Sequence, residues 1–306
     1  MKQYMRLAVY GLALTLTASA QPLLPPGPVI TAVVNGASFQ SGYGPAPNTW
    51  VSIFGTNLAS TTRAWNSSDF ANGPPRSLDG VIVMASACDQ PYPIGPCFYY
   101  EQVVEYVSPT QINVLASGEP NFAVMTGYSC TEFACTWTAT SNMFSAPIAF
   151  GGEFSPAFFI VGKDYVAARH ADGTLIGKPN MLPGVTSRPA QPGEIIELYG
   201  TGFGPFGGAY DTQGNLINQN LLSSCTGSPT TSGLVITCPD VGVVIGGEGT
   251  TVEWAGSVGE WDGRVALGLY QVNVMVPPNL PDGDFSVMFG YGGYQSQAGV
   301  YITVQQ

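Results

Sequence analysis

One stretch of this chain is used twice. Residues 47–59 read PNTWVSIFGTNLA and residues 192–204 read PGEIIELYGTGFG, an offset of 145. Each copy runs from Pro through a polar start into an alternating strand, then an aromatic, Gly-Thr and a turn. In Val51-Ser52-Ile53 and Ile196-Glu197-Leu198 the outer residues are apolar and the middle one is polar. A strand sends successive side chains to opposite faces, so this pattern predicts a strand with one buried face. Val51, Ile53, Ile196 and Leu198 are expected in a core, and Ser52 and Glu197 in water. Gly55 and Gly200 are expected to let the chain turn sharply where a Cβ would clash. The Gly-rich run does not read as a phosphate loop, because it has neither GxGxxG nor a Lys-Ser/Thr ending, and no helical pattern follows.

Two later matches keep the same order. SPTQINVLA at 108–116 pairs with GLYQVNVMV at 268–276, and FAVMT at 122–126 with FSVMF at 285–289. The widening offset places an insertion in the second copy, between the first and second matches. Self-similarity at this long period means tandem domains rather than a solenoid. A chain of 306 residues has room for two cores. Charged residues are only 9%, while Gly numbers 39 and Pro 25, which suits short strands joined by many turns. No sustained 3.6-residue apolar period occurs after residue 20. The expected fold is all-β, with two tandem sandwiches spanning 29–152 and 153–306, the second carrying a Cys-stapled insertion at about 205–240. In FYYEQVVEYVS at 98–108 the pattern predicts one long strand or two with a bend.

Residues 1–20 read as a secretory signal, with Lys2 and Arg6, an apolar run from Leu7 to Leu16, and Ala18-Ser19-Ala20 for cleavage. Residues 21–28 read as a Pro-rich linker. No later run is long and apolar enough for a transmembrane helix. Losing Lys2 and Arg6 takes the net charge from −11 to −13, which argues against nucleic acid and anionic membrane as partners. The expected address is secreted, extracellular or cell-surface. The six cysteines fall as neighbours: Cys88 and Cys97, Cys130 and Cys135, Cys225 and Cys238. Local pairing is the simplest of the 15 possibilities, each bridge adding roughly 2–3 kcal/mol. Zinc spacing is absent, and no metal or cofactor is expected.

Candidate chemistry is sparse. His170 is the only histidine, it precedes an Asp172-Gly173 turn, and there is no GxSxG, so a surface or turn role is expected. Glu101 and Glu105 could share a strand face, which fits a solvated face as readily as an acid/base pair. Gln111 and Asn113 share one strand face, as do Gln271 and Asn273, and could form hydrogen-bonding strips for a sugar or a neighbouring module. Among the tryptophans, Trp65 and Trp261 lie in turn-rich surroundings and are the expected exposed platforms for a sugar ring.

The order VVNGASF…VSIFGTNLA…YVSPTQINV…SPAFF…AARHADGTL…PGEIIELYGTGFGP…GLYQVNVMVP resembles a group of secreted bacterial proteins. The strand followed by GTNL or GTGFG resembles the opening of the IPT/TIG type of immunoglobulin-like domain. The resemblance spans about residues 29–306 and departs in the Cys-stapled excursions. It implies two tandem immunoglobulin-like β-sandwich domains and brings no catalytic residues with it. The expected function is non-catalytic: adhesion, surface assembly or matrix contact, with other extracellular proteins or polysaccharide as partners. The alternative is a carbohydrate-binding module serving polysaccharide degradation. Oligomeric state is open.

Overall fold

The computed structural model describes residues 26–41, 45–88, 98–130, 134–147, 154–203, 226–230, 233–237, 241–258, 260–261, 264–265, 267–291 and 293–306. The signal stretch 1–20, residues 21–25, the boundary near 151–153 and most of 205–240 lie outside them. The fold is all-β, with several sheets arranged consistently with tandem β-sandwich domains.

In the first half the main strands are β1 (Val29–Asn35), β2 (Trp50–Thr56), β3 (Ile82–Ser86), β4 (Val103–Val107), β5 (Gln111–Leu115) and β6 (Asn121–Thr126). One antiparallel sheet runs β1-β2-β5-β4, with Arg63–Ala64 beyond β4. The other pairs β6 with β3, with Tyr99–Glu101 beyond β3. Val51, Ile53, Val104, Ile112 and Val114 from one sheet meet Val83, Ala85, Phe122 and Val124 from the other in one buried cluster. The 98–108 stretch is two strands on different sheets. The crossing falls at Gln102, 1% exposed, whose carboxamide bonds Tyr100 O, Ser117 N and Ser117 Oγ and whose N–H donates to Val83 O, so these buried polar groups are met at the bend. β3 is buried on both faces, because Ile82 and Met84 pack with Met125 under Tyr99, Tyr128 and Trp137.

In the second half the main strands are β7 (Ala157–Phe158), β8 (Ala168–His170), β9 (Ile195–Thr201), β10 (Val241–Ile245), β11 (Val252–Ser257), β12 (Tyr270–Met275), β13 (Gly283–Tyr291) and β14 (Tyr301–Val304). One sheet runs β8-β9-β12-β11, with β7 also on β9; the other runs β14-β13-β10. Ile196, Leu198, Val272 and Val274 meet Val243, Ile245, Val287, Phe289 and Ile302 in a second buried cluster.

The two halves share a register. β2 faces β5 with Ser52 opposite Asn113 and Phe54 opposite Gln111; β9 faces β12 with Glu197 opposite Asn273 and Tyr199 opposite Gln271. The next strand carries a β-bulge at the same place in each half: Val104 to Tyr106 around Asn113, and Val252 to Trp254 around Asn273. This aligns Val104-Glu105-Tyr106-Val107 with Val252-Glu253-Trp254-Ala255 at an offset of 148. Val107 pairs with Ile112, whereas Ala255 pairs with Val272, so twelve extra residues enter the second half between β11 and β12.

Gly55 and Gly200 do not turn the chain; they lie inside β2 and β9. Their missing side chain is needed because a Cβ would come within 2.0 Å of Val29 O at Gly55 and 2.5 Å of Ala157 O at Gly200. The left-handed residues come two positions later, Asn57 at φ 55° and Gly202 at φ 73°. Each delivers a fully buried anchor, Leu58 or Phe203, to the core.

A two-residue staple then joins the sheets in each half. Ser141 donates N–H to Val124 O (2.8 Å) and accepts from Val124 N (2.9 Å); Ser296 does the same with Phe289 (2.8 and 2.9 Å). The next residue reaches the opposite sheet. Asn142 bonds both Ile30 N (2.8 Å) and Ile30 O (3.1 Å), and Gln297 bonds both Phe158 N (2.9 Å) and Phe158 O (2.6 Å). Each carboxamide imitates one residue of a neighbouring strand and closes a sheet edge.

Candidate functional site

Outward-facing positions on the β2-β5-β4 and β9-β12-β11 sheets form two related strips. In the first half, Asn113 Oδ1 accepts from Ser52 Oγ (3.0 Å) and Gln111 Nε2 (2.8 Å), while Asn113 Nδ2 donates to Glu105 Oε2 (3.1 Å). Ser52, expected in water, is 2% exposed. Its strand is flanked by β1 and β5, and its hydroxyl is spent on Asn113. The amide strip here is closed on itself.

In the second half Gln271 Nε2 donates to Asn273 Oδ1 (2.7 Å), and the Tyr199 hydroxyl donates to Glu197 Oε2 (2.7 Å). Burial, then the hydrogen bond to Glu197, pushes the Tyr199 phenol up to about 12, so it stays a donor at neutral pH. The Arg169 guanidinium stands 5.7 Å from the Tyr199 ring centre. Glu197, Tyr199, Gln271 and Asn273 are half-buried, and Arg169 is exposed. Trp254 is half-buried opposite Asn273 and also packs against the second core; its indole lies beside Gly256, where a Cβ would meet ring atom Cζ2 at 2.8 Å.

Of the two tryptophans expected to be exposed, Trp65 stands differently. Trp65 is half-buried, packs on the first core, and meets the rings of Trp50 (5.6 Å) and Phe70 (4.9 Å) edge-on, so its faces are committed to the fold. The side chain of Trp261 lies outside the described residues. Trp254 stands on this face, and the signal for its position was VEYV at 104–107 repeated as VEWA at 252–255.

His170 is not a surface residue. Its side chain is fully buried, with Nδ1 2.6 Å from Glu194 Oε1 and Nε2 3.1 Å from the Arg188 carbonyl oxygen. Both ring nitrogens are occupied, because β8 seats the imidazole between β9 and the Arg188 segment. No group of three or more metal-binding side chains occurs among the described residues. Cys130 and Cys135 form a disulfide across a short hairpin. Cys88 is also in a disulfide, and Cys97, Cys225 and Cys238 lie outside the described residues.

The halves touch through hydrogen bonds that each join a side chain to a main-chain group. Asn35 Nδ2 donates to Ser155 O (2.8 Å), Trp50 N to Thr201 Oγ1 (2.9 Å), and Trp50 Nε1 to Leu267 O (3.0 Å). A cleft at this seam, lined by Val33, Thr49 and Ser155 among others, has room for about one water molecule. The Thr49 hydroxyl there is buried without a hydrogen-bond partner among the described residues.

No family model matches the chain, and no curated protein matches it. Among solved structures it is similar to the FN1–FN3 domains of chicken CNTN1. That likeness has 8% identity and a TM-score of 0.17, and covers 92% of this chain and 100% of the other. It identifies no family.

Proposed function

We propose that this is an exported, non-catalytic binding protein of two immunoglobulin-like sandwiches of the IPT/TIG type, acting in adhesion, surface assembly or matrix contact. One observation carries the reading: the same outward polar strip, beside the same bulge, recurs in both halves. The repeated frame holds a polar face in each half, satisfied within itself in the first and with fewer internal bonds in the second, which leaves the second as the attachment surface. The burial of His170 between two oxygen partners supports a structural use for the chain's only histidine. The partner is an extracellular protein or a polysaccharide. The carbohydrate-binding reading has its own support in Trp254, which stands opposite Asn273 with its ring beside Gly256.

The test uses the chain from residue 21 onward. It is assayed for saturable binding to immobilised extracellular proteins and polysaccharides, and against a broad set of esterase and glycosidase substrates. Binding without turnover is expected. Sustained turnover that disappears in His170→Ala, with the fold intact, would refute the reading. Fractionation of the producing cells is expected to place the protein outside the cytoplasm.

A further inference from the structure

We infer that the outer face of the β9-β12-β11 sheet, built from Trp254, Asn273, Gln271, Glu197, Tyr199 and Arg169, is a binding site for a neutral oligosaccharide. The inference rests on the binding reading above and names its ligand class. The argument comes from the contrast between the two halves. In the first, Asn113 spends its oxygen on Ser52 and Gln111 and its amide on Glu105, so the strip satisfies itself. In the second, Glu197 replaces Ser52 and turns to Tyr199 instead. Among the described residues nothing accepts from Asn273 Nδ2 or Trp254 Nε1, nothing donates to Gln271 Oε1, and no carboxylate lies within ion-pair distance of Arg169.

The register therefore leaves donors and acceptors interleaved along one face, beside the Trp254 indole. A sugar ring needs that combination. Its C–H face stacks on an aromatic plane, and its hydroxyls both donate and accept. Gly256 makes room for the indole, since a Cβ there would meet its ring atoms at 2.8 Å. Glu197 on this face, and the acidic chain as a whole, select against uronate or sulfated sugars.

Isothermal titration of the chain from residue 21 onward with cellohexaose, xylohexaose, mannohexaose, chitohexaose and the anionic hexagalacturonate tests the site. At least one neutral hexaose is expected to bind. Trp254→Ala and the double variant Gln271→Ala with Asn273→Ala should each weaken it at least about tenfold. Tyr301→Ala, on the opposite sheet, should change it by less than about twofold. Circular dichroism melts check folding. If Trp254→Ala fails to fold, Gly256→Val, which displaces the indole but removes no binding group, is expected to show the same loss. The proposal is overturned if no neutral hexaose binds, if hexagalacturonate binds best, or if the second-half variants bind as the unaltered chain does. Saturable binding to an extracellular protein in those cases would leave the broader reading standing, whereas hydrolysis of the hexaoses would overturn both.

Discussion

Gln297 holds Phe158 by both of its main-chain polar groups, accepting from N at 2.9 Å and donating to O at 2.6 Å. Phe158 is fully buried and Gln297 is 5% exposed, so neither group has water as a substitute. Asn142 does the same for Ile30, but is itself exposed. Removing a buried partner strands the group left behind, at about 1–3 kcal/mol each. Gln297→Ala should therefore cost about 3 kcal/mol and Asn142→Ala about 1 kcal/mol in urea unfolding. Equal losses would contradict the account.

Gly55→Ala and Gly200→Ala should each cost about 2 kcal/mol or more, because the new Cβ meets the Val29 or Ala157 carbonyl oxygen, both main-chain atoms. Gly173→Ala is the contrast. Nothing lies within 4 Å of its Cβ position, so only its positive φ is strained. Thermal melts that ranked Gly173→Ala worst would be incompatible with close strand approach at Gly55 and Gly200.

Arg63 bonds both Asp69 and Asp79, and these bonds are the main reason both carboxyls titrate below their ordinary range. A carboxyl lowered in the folded state adds stability above its unfolded pKa of about 4, and that stability is lost as pH falls through the folded value. Arg63→Met should cost about 1 kcal/mol at pH 7, given partial exposure, and less near pH 2. Urea midpoints at the two pH values decide it, and a loss equal at both would show that the charge pairs are not the cause.

Thr201→Val keeps the shape of a buried side chain but removes the acceptor for Trp50 N. The Trp50 amide should then exchange with deuterium faster, by about tenfold, while Val51 and Ile53 amides change little. Unchanged exchange at Trp50 would mean that the seam does not protect it.

His170→Ala should lower stability by about 3 kcal/mol, through a buried void and two oxygen partners left unmet, and leave ligand binding intact once the protein is folded. A variant with normal stability would contradict the structural role.

Alternation in VSI and IEL is a local signal, and the structure buries Val51, Ile53, Ile196 and Leu198 as that alternation requires. The pairing of Gln111 with Asn113 and of Gln271 with Asn273 was legible for the same reason, since residues two apart on a strand share a face. Trp65 was misjudged because turn-rich surroundings say nothing about which rings fold back on the core. Ser52 was misjudged because alternation gives a side chain's face and not what covers it. His170 looked exposed from its neighbours, and only the approach of Glu194 and Arg188 buries it.

Taken alone, the chain's residues determined the all-β character, the doubling of one strand-and-turn unit and the inward or outward sense of its strands, because these depend on side-chain periodicity over a few residues. The tertiary structure alone decided that Gly55 and Gly200 serve close packing, that Ser141-Asn142 and Ser296-Gln297 join two sheets, and that the amide strip is closed in one half and open in the other. Those features depend on partners far away in sequence, and a pattern of near neighbours carries no information about which distant main-chain group will arrive opposite a given amide.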